Sequence, residues 1–70
     1  MQTLFSVNYF ENDKLSHKYF EKKRDAINLA KKSSVGRRSS VYRCNGLYNN
    51  ETFYEVESVL VAIYINGVKQ

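Results

Sequence analysis

Phe20-Glu21-Lys22-Lys23-Arg24-Asp25-Ala26-Ile27-Asn28-Leu29-Ala30-Lys31-Lys32 carries the helical periodicity of this 70-residue chain, and its reading decides the fold. At ~100° per residue, Ala26, Ile27, Leu29 and Ala30 share one arc, while Glu21, Arg24, Asp25, Asn28, Lys31 and Lys32 take the opposite one. The acids lie in or before the first turn and Lys31 and Lys32 in the last, as the helix dipole favours. Lys22 stands where Ser or Asp would cap a helix, so the start is placed only near 21–23. Gly36 is a natural stop, and the helix should end by about Ser34.

On the N-terminal side the period changes to two. Phe5, Val7 and Tyr9 alternate with Leu4, Ser6 and Asn8, the pattern of a half-buried strand. Glu11-Asn12-Asp13-Lys14 interrupts it with residues that tolerate left-handed conformations. Leu15, His17 and Tyr19 then alternate with Ser16, Lys18 and Phe20, which completes a β-hairpin. On the C-terminal side, Ser39 to Cys44 reads as a third strand. Asn45-Gly46 has type I′ turn composition, and Asn49-Asn50 serves equally well.

Thr52 to Ile65 is long for one strand, and its pattern slips. Tyr54 and Val56 share a phase with Leu60, whereas Val59, Val61, Ile63 and Ile65 form the stronger apolar row. Either a β-bulge near Glu57-Ser58 or a division into two strands accounts for this. Asn66-Gly67 turns the chain into a short tail. The expected architecture is a single α+β domain over 1–70, ββαββ, with a mostly antiparallel four-stranded sheet and one helix across a face.

One helix covers one face only, yet Val59-Leu60-Val61-Ala62-Ile63-Tyr64-Ile65 is apolar on both. Leu4, Phe10, Phe20 and Tyr42 add to the uncovered side. A soluble monomer seldom exposes so large an apolar patch, and a small core gains from oligomerisation. The reading is a homodimer packed through a sheet face or edge at Val59, Leu60, Val61, Ile63 and Tyr64. A segment that curls to bury its own surplus is the alternative.

The charge is lopsided. Nine of the eleven basic residues fall between Lys18 and Arg43, opposed there only by Glu21 and Asp25, so this stretch carries 9 − 2 = +7. The remainder carries 2 − 5 = −3, which restores the net +4. Such a stretch attracts phosphates with an affinity that falls as salt rises. Lys22, Lys23, Arg24, Lys31, Lys32, Arg37, Arg38 and Arg43 are the expected nucleic-acid contacts. Tyr42 is placed to stack on an unpaired base, and Arg37 and Arg38 suit phosphate best because a guanidinium donates in pairs. An ordinary solvated helix with a basic turn has the same composition, and RNA and DNA are not distinguished.

Catalysis finds no constellation. His17 is the only histidine and reads as a sheet residue, and Cys44, the only cysteine, reads as a small buried hydrophobe. Gly36, Gly46 and Gly67 are scattered rather than gathered in a phosphate loop, and no acidic or histidine cluster has metal spacing. The expectation is a non-enzymatic protein without metal or cofactor. A lone thiol, no signal peptide and no apolar run of ~20 residues point to the cytoplasm rather than a membrane.

The Asn-, Lys- and Tyr-rich usage, with a hairpin leading into Phe20-Glu21-Lys22-Lys23-Arg24-Asp25-Ala26-Ile27, resembles the small accessory proteins of T4-like bacteriophages. That resemblance implies a regulator of host transcription, RNA turnover or defence that acts by binding, in the host cytoplasm. The alternative function is a protein-binding module, the same basic arc docking on an acidic partner surface or an exposed strand edge pairing with a partner strand, which in that setting is an inhibitor or adaptor on a host enzyme, toxin or defence protein.

Overall fold

The computed structural model describes all residues from Met1 to Gln70 and contains one helix and a five-stranded antiparallel sheet. The strands are β1 (Gln2–Glu11), β2 (Lys14–Phe20), β3 (Arg38–Asn49), β4 (Thr52–Ile65) and β5 (Val68–Lys69), with α1 (Lys23–Ser33) between β2 and β3. Their order across the sheet is β2-β1-β3-β4-β5. The α+β expectation holds, with a short fifth strand where a tail was expected.

Three hairpins set the registers, and all use two-residue turns. Asn12 and Asp13, Asn50 and Glu51, and Asn66 and Gly67 have positive φ at both positions, the form that matches the twist of flanking strands. The β3–β4 connection therefore lies at Asn50-Glu51. That is one residue beyond the Asn49-Asn50 candidate, and Asn45-Gly46 lies inside β3.

β4 is one strand with two register shifts. Val41 pairs with Ala62 but Tyr42 with Leu60, leaving Val61 as an extra residue; Asn45 pairs with Glu57 but Gly46 with Glu55, leaving Val56. The bulges thus flank the expected position at Glu57-Ser58 rather than occupying it. Gly46 is required at the second. A Cβ there would lie 2.1 Å from the Tyr54 carbonyl oxygen and 2.8 Å from the Phe53 ring.

The core lies between α1 and one sheet face. Val7, Val41, Ala26, Ala30, Ala62 and Tyr64 are buried together, with Phe5, Tyr9, Phe20, Ile27, Leu29 and Val61 packed around them. Alanines at the helix contact let the backbones approach closely. Phe20 joins this side, opposite Phe5 in the β1–β2 pairing, and not the uncovered side where it was expected. In β4 the buried residues are Ala62 and Tyr64, and of the expected row Val59, Val61, Ile63 and Ile65 only Val61 packs against the core. The bulge at Val61 reverses the phase that the apolar count favoured.

Lys22 does precede the helix without a side-chain cap; its carbonyl accepts from the Asp25 and Ala26 amides at 3.2 and 3.3 Å. The other end is held by serines. Ser34 is fully buried, its carbonyl accepts from the Asn66 amide at 2.7 Å, and its hydroxyl accepts from the Gly67 amide at 2.8 Å. Asn66 Oδ1 accepts in return from the Gly36 amide at 2.7 Å. The β4–β5 turn is thus the C-terminal cap of α1, a partner no local motif announces.

Candidate functional site

The basic residues divide into two groups. Lys22, Lys23, Arg24, Lys31 and Lys32 are exposed on and just before α1. Arg43 is exposed on the same side of the sheet, since alternation from Val41 and pairing with Phe5 put it on the helix-bearing face. Arg38 lies on the opposite face, in register with Ile65. Arg37 is bound to the Asp13 carboxylate and lies 4.8 Å from the Phe10 ring centroid. That is the molecule's one ion pair, so no other Lys or Arg has a carboxylate within 4.0 Å. The middle third of the chain therefore does not form one patch. Six of the eight expected basic contacts share the helix side, and Arg37 and Arg38 leave it.

Tyr42 leaves it too. It alternates with Val41 and so projects from the face opposite α1, separated from the helical lysines by the sheet. That open face is concave. β2 and β4 are separated by β1 and β3, about 14 Å apart in a flat sheet. Yet Tyr19 of β2 donates its phenol hydrogen to the Glu55 carboxylate of β4, and its ring meets Phe53 edge-on at 5.1 Å. The bulges and Gly46 coil the distal half of the β3–β4 hairpin back over the sheet. Tyr48 extends the wall, 5.3 Å from Phe53, and His17 stands 4.6 Å from Tyr19.

Two adjoining cavities result. One of about 260 Å³ is lined by Ser6, Asn8, His17, Tyr42, Glu55 and Ser58. The other, about 290 Å³, shares Asn8 and Tyr42 and adds Phe10, Leu15, Arg38 and Ser40. Beneath them the Cys44 thiol is buried, 3.3 Å from Ser6 Oγ and 3.5 Å from Glu55 Oε1. Burial first, and the Glu55 charge after it, push this thiol above its ordinary value against the opposing Ser6 hydrogen bond, so it stays protonated and inert. The Tyr19 phenol is also raised, by burial first and then by its hydrogen bond to Glu55.

Sequence alone marks none of Asn8, Glu55 and Ser58 as a site residue, and reads His17 as a sheet residue. Period-two alternation put Ser6, Asn8, His17 and Tyr19 on definite strand faces, but only the long-range pairing of β1 with β3 and the curl of β4 make those faces coincide.

The proposed dimer residues also divide. Tyr64 is buried under α1, Val61 packs against the core and Ile63 is half-buried, whereas Val59 and Leu60 are 49% and 48% exposed. Tyr64 is therefore a core residue and not an interface one. β5 pairs only with Tyr64 and Ile65, and Gln70 reaches the Ile63 carbonyl, so the outer edge of β4 from Thr52 to Ala62 has no strand beside it.

Comparison with protein-family models, curated proteins and solved structures finds no match to this chain. No helix is long and apolar enough to cross a membrane.

Proposed function

We propose that this is a small non-enzymatic binding protein that engages nucleic acid, RNA or DNA, through the outer side of α1. The observation that carries the reading is the set Lys22, Lys23, Arg24, Lys31, Lys32 and Arg43, exposed on one side and free of internal carboxylate partners. Unpaired cations on a rigid element hold condensed phosphates and release their counterions. Arg37 and Arg38 become secondary, the first because Asp13 already holds it. The resemblance to phage accessory proteins supplies the setting, a regulator in the host cytoplasm.

The test is salt-dependent binding to a short oligonucleotide. Replacing Lys31→Ala and Lys32→Ala removes two phosphate contacts and lowers the slope of log K against log salt by about 1.4 on a single strand. An unchanged slope would place the polyanion elsewhere.

The unpaired edge of β4 favours a second function, a protein-binding module that accepts a partner strand. A second copy is one such partner. Antiparallel pairing about a two-fold between Val59 and Leu60 sets Glu57 opposite Ala62, so like charges do not meet. The β2 edge, by contrast, carries Lys14 and Lys18, residues that blunt such pairing. Sedimentation at micromolar concentration reads the outcome, and a clean monomer removes the homodimer.

A further inference from the structure

Among the side chains lining the concave face, Asn8, His17, Ser40, Tyr42 and Ser58 make no side-chain hydrogen bond within the molecule, yet all turn toward the same two cavities. Convergent polar groups with unused donors and acceptors are what fix a ligand's orientation in a cavity. Tyr42 is half-buried and lines both cavities, which puts an aromatic ring between them. At one end, Glu55 Oε1 is engaged by Tyr19 and Cys44, and Oε2 has no partner. A carboxylate oxygen facing a cavity takes N–H donors. At the other end Arg38 is exposed and unpaired, and a guanidinium there takes an anion.

We infer that this face binds one unpaired nucleotide whose base carries an exocyclic amino group. The base lies on Tyr42 with its amino edge toward Glu55, and the phosphate lies toward Arg38. A neutral sugar leaves Arg38 unused, and an inorganic anion leaves Tyr42 and Glu55 unused. Uracil and thymine present no amino group to Glu55, and their one ring donor, N3–H, is flanked by two carbonyl oxygens that a carboxylate repels. The inference rests on the nucleic-acid reading for its class of partner, but on none of the helical lysines. The cavity would read a base of a single strand whose backbone the basic side retains.

Backbone amide shifts followed by NMR during titration with GMP, CMP, UMP and guanosine test it. GMP and CMP should move the amides of Asn8, Tyr42 and Ser58, with UMP and guanosine at least about tenfold weaker. Glu55→Gln keeps an acceptor for Tyr19 and should erase the preference over UMP. Ser58→Phe, at an exposed position, should block all four ligands with the fold intact. If these amides stay still at millimolar GMP, or if guanosine and UMP bind as well as GMP, the inference is overturned. The Lys31→Ala, Lys32→Ala protein separates the two readings. It should lose oligonucleotide affinity while keeping GMP, whereas Ser58→Phe should lose GMP while keeping the salt slope.

Discussion

Under α1 the sheet is sealed by Val7, Val41, Ala26 and Ala30 at zero exposure and by Ala62 at 6%. On the other side the gap between β2 and β4 is spanned by a phenol, a carboxylate and a thiol, with Phe53 and Tyr48 as the outer wall. The covered face needs small apolar side chains because a helix must come close. The open face needs side chains that reach, because nothing but the curled sheet covers it. A chain this short lacks the apolar surface to close both faces in the same way. It closes one by packing and the other by hydrogen bonds and ring edges, and the second closure leaves room for solvent and ligand.

The sharpest way to break this contrast is at Gly46. Gly46→Ala drives a methyl into the Tyr54 carbonyl, a backbone atom that cannot rotate away. The expected loss is about 3 kcal/mol, at the upper end of overpacking costs and a large share of the stability of a small domain. A thermal melt followed by circular dichroism reads it. An unshifted midpoint would mean that the distal hairpin does not curl.

On the covered face, Val41→Ala empties a fully buried site beneath the helix and should cost about 2 kcal/mol, with the open-face cavities unchanged. Denaturant unfolding measures the loss. Altered Tyr19 and Phe53 resonances in that variant would show that the two faces are not independent.

The smallest effect belongs to the polar closure itself. Tyr19→Phe removes one hydrogen bond to an exposed carboxylate that water can resolvate, a loss of about 1 kcal/mol at neutral pH. Its pH dependence is more telling. The phenol is held above its ordinary 10.0, so its contribution is complete below pH 10 and declines above it, where the unfolded phenol ionises while the folded one keeps its proton. The Cys44 thiol, raised from 9.0, begins the same decline one unit lower. Urea midpoints should fall from about pH 9 upward in the native chain, and less steeply above pH 10 in Tyr19→Phe. Parallel curves would assign the alkaline loss to other groups.

These two faces were unequally legible in the sequence. The helix from Lys23 to Ser33 and the first hairpin follow from periodicity and turn residues, because both are local. The phase of β4 does not, since bulges at Val56 and Val61 move Ala62 and Tyr64 inward past a stronger-looking apolar row. The Asn45-Gly46 pair has turn chemistry, yet its glycine answers a different demand, the close approach of β4. Basic residues near in sequence also part in space. Arg38 follows the chain into β3, where alternation fixes its face, and Arg37, just before it, is held by the Asp13 carboxylate.

The clasp between Ser34 and the Asn66-Gly67 turn has a consequence for biosynthesis. Nearly half of the chain separates the helix end from the Asn66 and Gly67 amides, so a nascent polypeptide emerging from the ribosome holds Ser34 only through its local bonds, the Arg37 amide on its carbonyl and its own hydroxyl on the Lys31 carbonyl, until residues 66 and 67 are translated and free to dock. The first hairpin and helix can form as they emerge, but the final stitch waits for the codons of Asn66 and Gly67.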